Sequence, residues 1–257
     1  LIYLEFNIQS LSHDVHSGQL GGGVPNIIHY VSDMIASLKD PQTNRVLIPQ
    51  FYDDVIPPPP FDTTSTLATQ HLNELNQALN IGAHANEDFY VNIWHQPTLD
   101  CNGIVSGFID AGSKTVIPNQ CLVKLSCRLV ANQDPIKIRE RVKTFVQSKL
   151  PKNFTVSIND FNQVAAPVYS DPSSIYVKHA LTALNQAHGI PPIIQGEGGS
   201  VPILAEFKKA LNTPMVFIGL NSPNDNIHAP NERFKIDHYL KGIETYIHYL
   251  NLCHDCV

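Results

Sequence analysis

Ile2-Tyr3-Leu4-Glu5-Phe6-Asn7-Ile8-Gln9 is the stretch that decides the fold, because apolar side chains occupy every second position. A period of two is typical of a β-strand with one buried face. The same alternation returns within residues 119–130, where the apolar members are Cys121, Val123, Leu125 and Cys127. The chain therefore begins with a half-buried strand and carries a second one near its middle.

The residues around these two strands complete a small mixed domain. Apolar positions at helical spacing over residues 27–38 predict an amphipathic helix, and Asp134-Pro135 has the residue types that begin another. Residues 98–108 and 154–158 have strand character. The order strand, helix, strand, strand, helix, strand indicates a split βαβ arrangement, an open four-stranded sheet with two helices on one face. We expect residues 1–163 to form this α+β domain.

The last third of the chain has the alternation of an α/β protein. Asp171-Pro172 is expected to begin a helix that ends at Gly189, and another helix is expected after Ser200. Met215-Val216-Phe217-Ile218 is a continuous apolar run, as expected of a strand buried on both faces of a parallel sheet. Residues 164–257 are too few for a complete α/β domain. We expect other residues, on the N-terminal side of a longer polypeptide, to finish this sheet.

The composition excludes several classes of protein. With 43% hydrophobic residues, 16% charged residues and a net charge of −6, the chain resembles an ordinary globular protein rather than a nucleic-acid-binding one. No apolar run approaches the roughly 18 residues of a membrane span, so neither nucleic acid nor a membrane is an expected partner. The odd count of five scattered cysteines argues against a disulfide framework and for a reducing compartment. We therefore expect a cytoplasmic location.

Two polar loops in the last third could carry chemistry. His228 follows the predicted buried strand, at the edge where open α/β sheets bind ligands. It is either a metal ligand or a solvent-exposed loop histidine. Glu197 stands in Gly196-Glu197-Gly198-Gly199-Ser200, a turn that glycines permit, before a helix N-terminus that attracts anions. The alternative is a flexible turn in which Ser200 caps the helix.

Three further positions have both a functional and a structural interpretation. His16 precedes a glycine run, so it could donate to a developing oxyanion or cap the next helix. Arg128 projects from its strand opposite to Cys127, either into solvent or as a carboxylate clamp. Cys253-His254-Asp255-Cys256 has the spacing of half a zinc knuckle. No second pair with matching spacing exists, which favours an ordinary C-terminal tail.

Five motifs, in the same order along the chain, resemble those of the M20 family of metallopeptidases, in particular its cytosolic nonspecific dipeptidase and carnosinase-like branch. Asp14-Val15-His16-Ser17-Gly18 resembles the family's D-x-H-S-G. The other four are Gly112-Ser113-Lys114-Thr115-Val116-Ile117-Pro118, Arg128-Leu129-Val130, Glu197-Gly198-Gly199-Ser200-Val201-Pro202 and Ile227-His228-Ala229-Pro230-Asn231-Glu232. They span positions 14 to 232, so the resemblance covers nearly the whole chain.

The resemblance implies a fold in which a dimerisation lid is inserted into a catalytic domain that binds two zinc or manganese ions. Residues 1–163 would be the lid, and residues 164–257 the C-terminal segment of the catalytic domain. In this comparison His228 would be a metal ligand. The lid would mediate a homodimer, in which His16 and Thr115 reach into the active site of the neighbouring subunit.

The same resemblance implies hydrolysis of a dipeptide or a related amide by a water that the metal ions activate, with His16 stabilising the oxyanion. Arg128, Glu197 and Ser200 would contact the substrate, together with Thr115 of the neighbouring subunit. Gly196 departs from the family pattern, because an arginine usually stands there.

The family's remaining ligands lie in His-x-Asp and Glu-Glu motifs, which do not occur in these 257 residues. The chain alone is therefore expected to hold no metal pair and to be inactive. The alternative hypothesis is a non-catalytic dimerisation or binding module. A serine hydrolase acting through Ser200 is less favoured, because the G-x-S-x-G elbow is missing.

Overall fold

A computed structural model of the chain describes residues 1–57, 66–86, 88–161, 164–198, 201, 203–222, 225–227 and 229–254. The chain divides into two compact units. The first comprises Leu1–Pro167 together with Glu197–Pro202, and the second comprises Val168–Gly196 together with Ile203–Val257. The short segment around Glu197 thus packs with the first unit, although its neighbours in sequence belong to the second.

The first unit is built on a four-stranded antiparallel sheet, as the alternating sequence predicts. Its strands are β1 (Ile2–Gln9), β3 (Thr98–Ser106), β5 (Gln120–Arg128) and β6 (Thr155–Asn159), in the spatial order β3-β5-β1-β6. Two shorter strands, β2 (Val15–His16) and β4 (Val116–Ile117), form a separate antiparallel pair.

The register of β1 and β5 places their apolar positions opposite each other. Leu4 pairs with Leu125, and Phe6 pairs with Val123. This matters because a slip of one residue would turn every apolar side chain to the other face. All four of these side chains are at most 2% exposed, so the predicted buried face is the face that carries the core.

Two helices cover that face. They are α2 (Ile27–Ala36) and α5 (Pro135–Ser148), and each contributes a buried stripe to the core: Ile27, Val31 and Met34 from α2, and Ile138, Val142 and Val146 from α5. The predicted cap of α5 is confirmed, since the Asp134 carboxylate accepts hydrogen bonds from the backbone N–H groups of Ile136 and Lys137. A cap of this kind stabilises a helix by about 1 kcal/mol.

The remaining helices of the first unit are not part of this sheet-and-helix layer pair. A single turn, α1 (Ser17–Leu20), follows β2 directly. The segment between α2 and β3 contains α3 (Thr66–Leu79), a short 3-10 turn (Gly82–His84) and α4 (Phe89–His95). The last of these helices ends three residues before β3 begins, which places its C-terminal end beside that end of the sheet.

The second unit contains three helices among its described residues: α6 (Ile175–His188), α7 (Ile203–Leu211) and α8 (Ile236–His254). Helix α6 ends at Gly189, as predicted, but it begins three residues later than Asp171-Pro172 indicates. Its N-cap is Ser174, whose side chain accepts from Val177 N. The Asp171 carboxylate instead accepts from the backbone N–H and the hydroxyl of Ser173. Aspartate and serine can both accept from free backbone N–H groups, so Asp171 stabilises the turn and Ser174 caps the helix.

The prediction of a buried strand at Met215-Val216-Phe217-Ile218 is wrong for this chain. No strand occurs in the described part of the second unit, and the Phe217 side chain is 59% exposed. An apolar run becomes a strand only where a neighbouring strand satisfies its backbone N–H and C=O groups, and no neighbouring strand is described here.

Helix α8 also exposes an apolar face that no other described element covers. Its small buried residues, Gly242 and Thr245, lie on one side, and α8 contacts α6. Its large apolar stripe is between 46% and 76% exposed and consists of Ile236, Leu240, Ile243, Ile247 and Leu250. Within the described residues, no helix is both long and apolar enough to cross a bilayer.

Candidate functional site

The pairing of β2 with β4 brings two of the predicted site residues together. His16 is paired with Val116, and the backbone N–H of Ser17 donates to the carbonyl of Thr115 at 3.0 Å. The hydroxyl of Thr115 then lies 3.2 Å from Nε2 of His16. Two motifs that are about a hundred residues apart in sequence therefore form one exposed turn.

The hydrogen bonds of His16 determine which ring nitrogen carries the proton. Its Nδ1 accepts from the backbone N–H of Gly18 at 3.0 Å, so Nδ1 cannot carry a hydrogen in the neutral ring. The proton is then on Nε2, which donates towards Thr115. An added Cβ at Gly18 would lie 3.0 Å from Cε1 of the ring, so the glycine permits this close approach.

Both interpretations of His16 agree with this geometry. The residue caps α1 through Nδ1, as the structural alternative predicts. Its Nε2–H is a donor at the surface of the first unit, since the His16 side chain is exposed. A group that caps with one nitrogen and donates with the other could still bind a developing oxyanion.

Asp14 is a contributor to this turn that the sequence analysis did not identify. Its Oδ1 accepts from the backbone N–H of Asn119 at 3.0 Å, and the carbonyl of Asn119 accepts from Ser10 N at 2.8 Å. These bonds join the His16 turn to the beginning of β5. The only local signal was that Asp14 stands two residues before His16 in the same motif.

Arg128 is the last residue of β5 and is half-buried. Its Cα pairs with that of Thr98 at the beginning of β3, and Cys127 faces the core on the other side, as predicted.

The structure does not bring Arg128 and the His16 turn together within one chain. Asn119 precedes the first residue of β5, whereas Arg128 is its last residue. At about 3.3 Å per residue, a nine-residue strand separates the two positions by roughly 25 Å. The predicted residues therefore form two groups, at opposite ends of β5.

Glu197 belongs to the group at the Arg128 end. It is exposed, and the next residue, Gly198, packs against the carbonyl oxygen of Ile93 near the end of α4. Ile93 lies five residues before Thr98, the residue paired with Arg128. Glu197 and Arg128 are thus held at the same end of the sheet.

Two predicted site residues, Ser200 and His228, lie outside the described residues. The loop that contains position 228 is described at both of its ends. The backbone N–H of Arg233 donates to the carbonyl of Asp225 at 2.9 Å, which closes the loop. Asp225 is fully buried; its Oδ2 accepts from Ser222 N at 2.7 Å, and its Oδ1 has no hydrogen-bond partner among the described residues.

The potential metal ligands are dispersed in the part of the chain that the structure describes. Among the residues that the structure describes, no three His, Cys, Asp or Glu side chains are grouped so that they could hold a metal ion. Of the possible zinc knuckle, Asp255 and Cys256 lie outside the described residues. Cys253 is half-buried, with its Sγ 3.9 Å from Nδ1 of His179.

The sequence is similar to that of several proteins named as peptidases. The profile of the family described as peptidase dimerisation domain matches residues 3–153. The chain is 28% identical to the Cys-Gly metallodipeptidase dug1 of Schizosaccharomyces pombe, over 96% of this chain and 54% of that protein. It is 24% identical to the Beta-Ala-His dipeptidase of Mus musculus, over 95% of this chain and 51% of that protein.

Comparison of folds gives a concordant result. The M20 family metallo-carboxypeptidase Sso-CP2 of Sulfolobus solfataricus superposes with a TM-score of 0.81 and 29% identity, over 98% of this chain and 57% of that one. This match confirms the predicted fold class. The chain spans about half the length of the curated relatives it matches.

Proposed function

Because this chain belongs to the M20 peptidase family, as its peptidase dimerisation domain shows, we propose that it forms part of a metal-dependent dipeptidase. The reaction is hydrolysis of the amide bond of a dipeptide or a related substrate. The similarity to relatives named as Cys-Gly and Beta-Ala-His dipeptidases supports this substrate class.

The observation that carries the proposal is the separation of the two groups of site residues along β5. A dipeptide in extended form is about 7 Å long, whereas His16 and Arg128 are separated by roughly 25 Å of strand. One dipeptide cannot contact both residues of the same chain. In a homodimer, the His16 turn of one subunit could lie beside the Arg128 of the other subunit. One dipeptide could then contact both residues.

Within such a dimer, each predicted residue has a distinct role. Arg128, Glu197 and Ser200 contact the substrate of their own subunit. His16 and Thr115 reach the substrate bound in the partner subunit, where Thr115 contacts it and the Nε2–H of His16, which lies 3.2 Å from Thr115 Oγ1 in this structure, donates to the substrate carbonyl oxygen. This donor stabilises the negative charge that develops on the carbonyl oxygen.

Two zinc or manganese ions, bound in the complete enzyme, would supply the activation of the attacking water. The described residues do not fit such a centre by themselves, because they contain no group of three ligands. We assign one candidate ligand to this chain, His228. The buried Asp225 and the hydrogen bond from Arg233 N to Asp225 O define the two ends of the loop that contains position 228.

We further propose that residues 1–163 are the dimerisation lid and that residues 164–257 are a segment of the catalytic domain. The exposed stripe of α8 supports the second assignment, because helices of α/β domains bury such stripes against a sheet. The polypeptide corresponding to the unmatched half of the relatives would provide that sheet and the other ligands. The proposed location is the cytoplasm, with neither nucleic acid nor membrane as a partner.

The test compares two proteins: the 257-residue chain, and the longest polypeptide that its gene encodes. Each is incubated with Zn²⁺ or Mn²⁺ and assayed for hydrolysis of Cys-Gly and β-Ala-His, while bound metal is measured by mass spectrometry. We expect hydrolysis and two metal equivalents in the longer protein alone. A longer protein that dimerises but neither binds metal nor hydrolyses any dipeptide would leave the dimerisation module as the better description.

A further inference from the structure

Gly198 approaches helix α4 more closely than any other residue type could. A Cβ built at Gly198 would lie 2.8 Å from the carbonyl oxygen of Ile93, whereas an ordinary van der Waals contact begins at 3.4 Å. The φ angle of Gly198 is not in the left-handed region. Space, and not backbone conformation, therefore requires glycine at this position.

Helix α4 is itself firmly attached to α3. Tyr90 is 4% exposed, and its hydroxyl donates to the carbonyl of Ala68 at 3.1 Å and lies 2.9 Å from Nδ1 of His71. The ring of Tyr90 also packs against that of Trp94, with centroids 4.6 Å apart. A buried, hydrogen-bonded tyrosine is a stable anchor, so α4 offers a fixed surface at the C-terminal end where Ile93 lies.

We propose that α4 positions Glu197, and that Gly198 is a positioning residue because it lets the loop rest directly on the Ile93 carbonyl. The inference rests on the proposed function, in which Glu197 contacts the substrate. Glu197 then keeps its place through the first unit, although the adjoining residues of the chain belong to the second. The segment from α3 to α4, which the motifs do not cover, acquires a role in substrate binding.

Trp94 gives a direct readout, because it is the only tryptophan of the chain and follows Ile93. The variant Gly198→Ala forces the loop away from Ile93, so acrylamide should quench the fluorescence of the neighbouring residue Trp94 more strongly. The matched control is Gly103→Ala, since Gly103 lies in β3 and a Cβ there meets nothing within 4 Å among the described residues. Quenching in the control should equal that of the unaltered chain. Equal quenching in Gly198→Ala would overturn the proposal.

A second measurement tests the consequence for the substrate, in the complete enzyme. A displacement of about 1 Å in a positioning element can cost about a hundredfold in kcat/KM. We expect Gly198→Ala to lose about that factor, mainly through KM, with unchanged metal content, whereas Gly103→Ala keeps full activity. Tyr90→Phe, which removes the anchor of α4, should shift KM in the same direction.

These outcomes separate the two proposals. Changed quenching with an unchanged KM would overturn the role of α4 in substrate binding. If the complete enzyme hydrolyses no dipeptide, the proposed function fails, while the quenching experiment still decides whether Gly198 holds the loop on α4.

Discussion

Nε2 of His16 lies 3.2 Å from Oγ1 of Thr115, although the two residues are 99 positions apart in the chain. The contact exists because β2 and β4 pair, and because Asp14 binds the backbone at Asn119. The Gly18 N–H occupies Nδ1, so the ring presents a donor at Nε2. An enzyme that must stabilise an oxyanion needs a donor held in this way before the substrate arrives.

Replacement of His16 by alanine should remove that donor while preserving the fold, since His16 is exposed. Loss of one oxyanion donor costs about a hundred- to a thousandfold in turnover. Steady-state kinetics of His16→Ala in the complete enzyme should show this loss in kcat, with metal content and dimer mass unchanged. Thr115→Ser, which keeps the hydroxyl, is the matched control and should retain most activity. A His16→Ala enzyme with normal kcat would contradict the assignment.

Mixing two inactive variants should restore activity if His16 acts across the dimer. A heterodimer of His16→Ala with His228→Ala contains one composite site that is intact, because the two lesions fall in the other site. Activity should approach half the wild-type value per heterodimer after subunit exchange, which native mass spectrometry can verify. Subunit exchange without any recovery of activity would show that His16 acts in the active site of its own subunit.

Glu197 and His228 should differ in their effect on metal. We expect His228→Ala to lose activity and one metal equivalent, because a ligand is removed. Glu197→Ala should impair turnover or substrate binding and keep its metal, because the residue contacts the substrate. Metal analysis of both purified variants decides between the roles. Equal loss of metal in the two would place Glu197 in the coordination shell.

The buried thiol of Cys127 should make stability fall at high pH. Burial raises the pKa of Cys127 from 9.0 to about 12. Between pH 9 and pH 12 the thiol loses its proton in the unfolded state but keeps it in the folded state. The contribution of the Cys127 thiol to stability is therefore complete below about pH 9, and the free energy of unfolding falls by about 1.4 kcal/mol for each pH unit above it. Urea unfolding from pH 8 to 10.5 should give a shallower pH dependence for Cys127→Ala than for the unaltered chain. Cys101→Ala, at an exposed position of β3, should keep the original slope.

The sheet of the first unit could be predicted because the alternation of apolar and polar residues indicates which side chains are buried. Ile8, for example, is apolar between two polar residues, and a residue so placed on a strand must face the core. The helix cap at Asp134 is equally local. Both depend on neighbours within a few positions, which is the range over which sequence patterns are informative.

Features that depend on distant partners were not predictable in the same way. The run from Met215 to Ile218 has the composition of a buried strand, but pairing requires a neighbour that no local pattern specifies. The close approach of Gly198 to Ile93 joins residues 105 positions apart. The motifs containing His16 and Thr115 were recognised separately, whereas their contact follows only from the pairing of β2 with β4.

The hydrogen bond between Arg233 N and Asp225 O has a consequence for how this protein could diversify. The bond fixes both ends of the loop at one point, and His238 in α8 holds the preceding segment through the carbonyl of Leu220 at 2.9 Å. Positions in the loop other than His228 can therefore change in sequence while α8 keeps its position. A change in chemical preference could be acquired there by a few substitutions, without loss of the scaffold's stability.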